Sequence, residues 1–211
     1  MSTESWWNAS EEGDEEFWSP SLPEEECSTG NMDALTPKGL RALEAAREAV
    51  KAVESLGKWR VTVLREHDAS TLDLLLTDAH REGELDFAEV KCRWMSSRQF
   101  DEDFHGKWLI SYAKLHRAYG MTRCNHIPTV GVLYCMVDGV VLVQRFWDRS
   151  GKLLVDRIEL KNSWTQATVN GGEALRLNAY VDMTRAVRIP AKIYPNNPFG
   201  DFPRPPKAGE A

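Results

Sequence analysis

Residues 71–94, TLDLLLTDAHREGELDFAEVKCRW, decide the fold. Two apolar runs, Thr71 to Thr77 and Leu85 to Trp94, flank a polar stretch containing Gly83, the pattern of two antiparallel strands joined by a turn. Side chains two apart on a strand share a face, so Glu89 and Lys91 point one way and Val90 and Cys92 the other. If Thr77 pairs with Leu85 across the turn, the antiparallel register puts Asp73 directly opposite Glu89. The hairpin then gathers two carboxylates and an amine on one face of otherwise apolar strands.

Upstream, Thr36 as N-cap, Pro37 at the first helical position and Gly57 as a stop punctuate a helix. Leu43, Ala46, Ala49, Val50, Val53 and Leu56 fall on one side of it, with Arg41, Glu44, Glu48 and Lys51 opposite, so one face is expected to dock on a sheet. Trp59 to Arg65 reads as the strand before the hairpin. Downstream, Phe104, Trp108, Tyr112, Leu115 and Tyr119 recur at helical spacing before Gly120 and predict a second helix over Ser97 to Tyr119. Thr129 to Val137 and Val140 to Phe146 flank Asp138-Gly139, a strong hairpin signal. Leu153 to Leu160 and Ala174 to Val181 read as further strands. This order predicts an α/β domain over 34–193, with a mixed central β-sheet flanked by helices and additional C-terminal strands.

The net charge of −6 conceals a division along the chain. Residues 1–33 hold ten acids and no Lys or Arg, leaving 22 acids against 26 bases in the rest, so a mildly basic body follows an acidic tail. That tail mixes acids, Ser and Pro with isolated aromatics (Trp6, Trp7, Phe17, Trp18) and has no period, which predicts disorder. It reads as a solubilising segment, or as an acidic-aromatic motif that docks a protein partner or shields the basic body. Residues 194–211 form a second, Pro/Gly-rich tail. Cys27, Cys92, Cys124 and Cys135 lack zinc-site spacing and are too few for a disulfide scaffold, and no apolar run approaches a membrane span. The expectation is a soluble intracellular protein, cytosolic or nuclear, with no membrane partner.

Side-by-side carboxylates repel and resist desolvation, so something must compensate them. A hard divalent cation does so: Mg²⁺, with Mn²⁺ as a substitute, takes one or two carboxylates, here Asp73 and Glu89, and completes its shell with water and phosphate oxygens. Lys91 would then position the nucleophile or stabilise charge developing on phosphorus. The structural alternative is a salt bridge between Lys91 and one acid, which leaves the other acid's charge unbalanced. Asp86 points to the opposite face and Asp78 lies in the turn, and both read as solvated acids. On the predicted second helix Lys107, Lys114 and Arg117 fall within about a quarter of the circumference, a stripe for binding nucleic acid, with Ser111 as an added contact, or else a solvated charged face. Arg98 and Gln99 sit where that helix begins and would reach phosphate or cap the helix. His67, His80, His105, His116 and His126 show no metal-ligand spacing.

The hairpin pattern, LDLLL at 72–76 and AEVKCR at 88–93, resembles the PD-(D/E)XK nuclease superfamily, whose signature is an Asp in one strand of a hairpin and Glu-x-Lys in the next. The order helix, strand, strand hairpin, helix, strand is similar to that family's core over Thr36 to Phe146. The resemblance implies a restriction-endonuclease-like core and a Mg²⁺-dependent phosphodiesterase that cleaves nucleic acid, DNA ahead of RNA, with Asp73, Glu89 and Lys91 catalytic. Leu72 stands where the family pattern has Pro. Many members also carry an acid on the first helix; Glu54 borders the apolar face here while Glu44 and Glu48 point to solvent, so none is assigned. The alternative is a catalytically silent nuclease-like fold serving as a nucleic-acid- or protein-binding assembly module. No sequence-reading module is visible, which favours recognition of shape, ends or junctions over base edges.

Overall fold

The computed structural model describes residues 5–6, 37–63, 73–80, 82–168 and 171–198. In chain order the elements are β1 (Ser5–Trp6), α1 (Pro37–Ser55), β2 (Trp59–Val63), β3 (Leu74–Asp78), β4 (Leu85–Arg93), α2 (Ser97–Asp103), β5 (Lys107–Ser111), α3 (Tyr112–Asn125), β6 (Thr129–Cys135), β7 (Val140–Trp147), β8 (Ile158–Thr168), β9 (Gly171–Asp182) and β10 (Val187–Pro190). They form an α/β fold with two sheets, a mixed one of order β10-β7-β6-β4-β3-β2 and a second of order β1-β8-β9-β5.

Among the described strands of the mixed sheet only β4 and β6 run parallel, and the crossover between them consists of α2, β5 and α3. The β3–β4 hairpin has the expected register: Thr77 pairs with Leu85 and Leu74 with Ala88. Alternation along the strands divides the two faces. Leu74, Leu76, Ala88, Val90, Val130, Val132 and Tyr134 pack beneath α1, whose Ala45, Ala49, Ala52 and Val53 let helix and sheet approach closely. On the other face Phe87, Leu133, Leu142 and Phe146 meet Leu115 and Ala118 of α3 and Trp108, Ile110, Ile158 and Val181 of the second sheet. With both faces covered, every residue of β6 is buried.

One expected element is replaced. The continuous helix over Ser97 to Tyr119 is instead α2, β5 and the start of α3. His105 and Gly106 adopt left-handed φ of 53° and 67°, which ends α2. A side chain at Gly106 would press on Thr184 at 2.6 Å, so the turn needs glycine. Lys107–Ser111 then alternates partly buried with buried residues and pairs with β9, which a helix cannot do. Trp108 and Tyr112 are four apart, but the spacing spans a strand and a helix start rather than one helical face. Helix α3 opens at Ser111, whose hydroxyl accepts from the Lys114 amide.

Smaller differences lie at the edges. Leu56, placed on the buried side of the first helix, is exposed. Leu153 makes only an isolated bridge to Trp147, and the strand after it is β8, longer and later than expected, in the second sheet with β9. Strand β10, unforeseen, covers the edge of β7 and ends on Pro190, which suits an edge strand. Tyr194, at the head of the Pro/Gly-rich segment, packs on the α1 side of the sheet against Tyr134. Ser5–Trp6, inside the segment expected to lack regular structure, pairs with β8. The Thr36 cap, Arg65, Thr71, Leu72, His67, Cys27 and most of both tails lie outside the described residues. Cys92, Cys124 and Cys135 form no disulfide among the described residues, and no described helix is long and apolar enough to cross a membrane.

Candidate active site

Asp73 immediately precedes β3, one residue beyond the last register pair Leu74–Ala88, and its amide donates to the Ala88 carbonyl at 3.0 Å, while its charge meets that of Glu89. Its carboxylate Oδ2 accepts from the Val90 amide at 2.7 Å. Glu89 lies on the face that carries Phe87 and Leu133, away from α1, and the Asp73 carboxylate interacts with its charge and with those of Lys114 and Lys91. The first-helix acids are therefore on the wrong side of the sheet; Glu54 instead accepts from the Val61 amide.

Glu89 is 1% exposed. Lys114 Nζ donates to its Oε1 at 2.7 Å, and Lys91 Nζ lies 3.2 Å from the same oxygen. Burial pushes this carboxyl upward in pKa, but the two ammoniums outweigh it and hold the group below its usual range. Both cations crowd one oxygen, and Glu89 Oε2 is buried with no hydrogen-bond partner. Asp73 fares differently. Burial first, then the Glu89 charge, raise its pKa from 3.8 to about 6, against the pull of Lys114, the Val90 amide and Lys91. Burial lowers the Lys114 pKa, but the Glu89 and Asp73 carboxylates outweigh this and raise it.

Lys114 is the residue that sequence reasoning misplaced. The stripe expected of Lys107, Lys114 and Arg117 on one helix is divided, with Lys107 on β5 and Lys114 and Arg117 together on α3. Lys107 stands on β5 and is held by Glu159, Arg117 is half-buried on α3, and Ser111 caps α3. Lys114 occupies the first turn of α3, where a positive charge opposes the helix dipole. With the helix start correctly placed, that position is itself a signal that the amine has a carboxylate partner. It also answers part of the charge argument: two amines, not one, face two acids.

Gln144 was also missed. Glu89 pairs with Gly131, which pairs with Gln144, and Gln144 shares its face with Leu142 and Phe146. Its buried Oε1 has no partner, and its sequence signal is a lone amide in the apolar run VVLVQRFW. Between the two polar residues Gly131 is obligatory: a Cβ there would lie 2.2 Å from Phe146 and 2.5 Å from Trp108.

The remaining candidates resolve into structural roles. Asp86 does point to the opposite face, but it is buried and paired with Arg145 at 2.6 Å rather than solvated. Asp78 does not lie in the turn but ends β3, paired with Trp59, and its carboxylate accepts from the His80 amide. Ser96 caps α2 by accepting from the Gln99 amide, and Arg98 pairs with Glu102. Among the described residues no three His, Cys, Asp or Glu side chains converge as a metal cluster, so any cation here would rest on the Asp73–Glu89 pair, with water or substrate supplying the other ligands. The donor set fits a hard divalent ion in two respects, an acid with an unmet charge and an unpartnered carboxylate oxygen beside it. No protein family, curated protein or solved structure matches the chain.

Proposed function

We propose that the chain is a metal-dependent nuclease that hydrolyses nucleic-acid phosphodiesters at Asp73, Glu89 and Lys91, with Lys114 as a fourth member of the site. The observation that carries this reading is Asp73 itself. Its pKa of about 6, beside the orphaned Glu89 Oε2, marks a pair of carboxylates that two lysines do not fully satisfy. The order helix, three antiparallel strands, crossover and parallel strand supports a restriction-endonuclease-like core.

Asp73 and Glu89 would hold Mg²⁺ or Mn²⁺, which when bound polarises a phosphate and lowers the pKa of water. Lys91 and Lys114 offset the acids and offer ammonium protons to the negative charge that grows on phosphorus. The apolar wall of Phe146, Trp108 and Leu133 lowers the local dielectric, which strengthens those interactions. DNA is the favoured substrate on the family resemblance alone.

The second reading, a silent nuclease-like module that binds nucleic acid or protein, is favoured by the 2.7 Å Lys114–Glu89 contact, since an internal amine that close does part of a cation's work. The deciding experiment is cleavage of single-stranded, duplex and branched DNA, and of RNA, by the purified chain with Mn²⁺ or Mg²⁺, against Asp73→Asn. Metal-dependent cleavage lost in the variant supports the nuclease. Absence of cleavage, with no Mn²⁺-induced thermal shift, supports the module.

A further inference from the structure

The formal charges at the paired acids already balance. Asp73 and Glu89 meet the ammoniums of Lys114 and Lys91, so a divalent cation added to this set would leave a double positive excess unless an ammonium withdrew. The two amines are not equally placed. Lys91 is carried on β4 beside Glu89 and lies 3.2 Å from its Oε1. Lys114 comes from α3, approaches the same oxygen to 2.7 Å, and acts on the charge of Asp73 more strongly than Lys91 does. It is the amine that serves both carboxylates, and a cation serving two acids at once does what a bound metal ion does.

We infer that Lys114 is a built-in occupant of the metal position: its ammonium holds the acid pair in the metal-free chain and gives up Glu89 when a divalent cation is bound there. The inference rests on the nuclease reading for the use made of the ion, while the contact itself is independent of any catalysis. Three features let the amine leave. The Lys114 backbone is held by its amide bond to the Ser111 hydroxyl, so only the side chain has to turn. That side chain is 32% exposed, which gives its charge a path to water. The first turn of a helix disfavours positive charge, so Lys114 is kept in place by the carboxylates and loses that hold once another cation takes them. The reason for exchange lies in Glu89 Oε2, which the ammoniums leave buried without a partner and which a hard divalent ion would take as a ligand. An occupied site binds its ion weakly. With the ammonium in place about nine-tenths of the time, the apparent affinity falls about tenfold below that of the open pair.

The test is a calorimetric titration of Mn²⁺ into the full chain at pH 7, without nucleic acid. Lys114→Met or Lys114→Gln is expected to bind the ion about tenfold more tightly than the wild type, whereas Lys91→Met, which removes a neighbouring charge but not the occupant, gains no more than about threefold. A second measurement reads the wild type directly: brief reductive methylation in Mg²⁺ or in EDTA, followed by peptide mass spectrometry. Lys114 should be labelled several-fold faster in saturating Mg²⁺, with exposed Lys51 as the unchanged control. Mn²⁺ affinity that is unaltered or weaker in the Lys114 variants, equal gains in the Lys114 and Lys91 variants, or a wild type that binds the ion with Lys114 labelling unchanged would each overturn the proposal. If neither Lys114 variant folds, the wild-type labelling decides alone, and no rise in Mg²⁺ overturns it. The two readings fail separately. Mn²⁺ bound by the Lys114 variants, with no cleavage by the wild type, retains the occupant and removes the nuclease, whereas Asp73-dependent cleavage with Lys114 unmoved by Mg²⁺ does the reverse.

Discussion

Glu89 and Glu159 are both buried carboxylates beneath clustered cations, yet their surroundings differ in a way that separates a structural ion cluster from a candidate for chemistry. Around Glu159, Lys107 and Arg157 take Oε1 and Lys161 takes Oε2, so both oxygens are engaged. Burial works against that carboxylate, but the cations hold its pKa below the usual range. Around Glu89 two lysines share Oε1, Oε2 has no partner, and a second acid across the hairpin is pushed up to about 6. The first arrangement is electrostatically complete. The second retains a demand that a bound cation would meet, and unmet demand of this kind is costly to keep unless it is used.

The comparison breaks most visibly under paired substitutions. Glu89→Gln should reduce metal-dependent cleavage by on the order of a hundredfold or more, the scale on which a preorganised charged group acts in catalysis. Glu159→Gln should leave turnover within a small factor but remove a carboxylate shared by three cations, costing about 1–3 kcal/mol because those cations are partly solvated. Turnover on labelled DNA and thermal melts of the two variants measure both effects. The opposite pattern, a stable but inactive Glu159→Gln and an active Glu89→Gln, would reverse the assignment of the two clusters.

Much of the Glu89 cluster was legible in the sequence because strands impose period two and a hairpin imposes register. Once Thr77 was set against Leu85, the chain before β3 came to the Glu89 end of the hairpin, where the Asp73 and Glu89 charges interact, and period two put Lys91 on the face of Glu89. Helical spacing was a poorer guide. The spacing of Trp108, Tyr112 and Leu115 is as good as that of α1, but local periodicity does not register that two left-handed residues, His105 and Gly106, turn the chain into a strand. Everything dependent on that break was lost with it: the pairing of β5 with β9, the Lys107–Glu159 cluster, and the placement of Lys114 against Glu89. These are contacts between residues 25 to 75 positions apart, set by tertiary packing of the second sheet and invisible to a local window.

A smaller effect sharpens the contrast through pH. Because the Asp73 pKa is raised from 3.8 to about 6 in the fold, the native state holds this proton more tightly than the unfolded chain. Stability from this group therefore falls as pH rises from about 4, and the full penalty is present above 6. Asp73→Asn, which keeps an acceptor for the Val90 amide, should melt above the wild type at pH 7 by an amount on the order of 1–3 kcal/mol, with the difference gone near pH 4. Glu89, whose pKa is lowered, has the opposite sign: its contribution is present at neutral pH and is lost on acidification. Mn²⁺ should raise the wild-type melting temperature at pH 7 and leave Asp73→Asn unmoved. A wild type indifferent to both pH and Mn²⁺ would make the Asp73 cluster as complete as that of Glu159.

The smallest effect concerns the other cluster and the acidic N-terminal stretch. Residues 1–33 carry ten acids without a Lys or Arg, and β1, within them, pairs Ser5 with Leu160 and Trp6 with Glu159 on β8, the strand that bears Lys161 and follows Arg157. That pairing anchors the N-terminal stretch beside these cations, and on the proposed nuclease reading its acids would compete with phosphates for them. Tethered in the same chain, even a weak contact acts at an effective concentration on the order of millimolar. Deleting residues 1–32 should therefore tighten non-specific nucleic-acid binding several-fold at low salt, with the gain shrinking as the Debye length falls to about 10 Å near 0.1 M. The measurement is an anisotropy titration of the full and truncated chains across a salt series. Equal affinities at every salt concentration would mean that the acids do not mask this face, and would turn attention to Trp6, Trp7 and Trp18 as contacts for a separate protein.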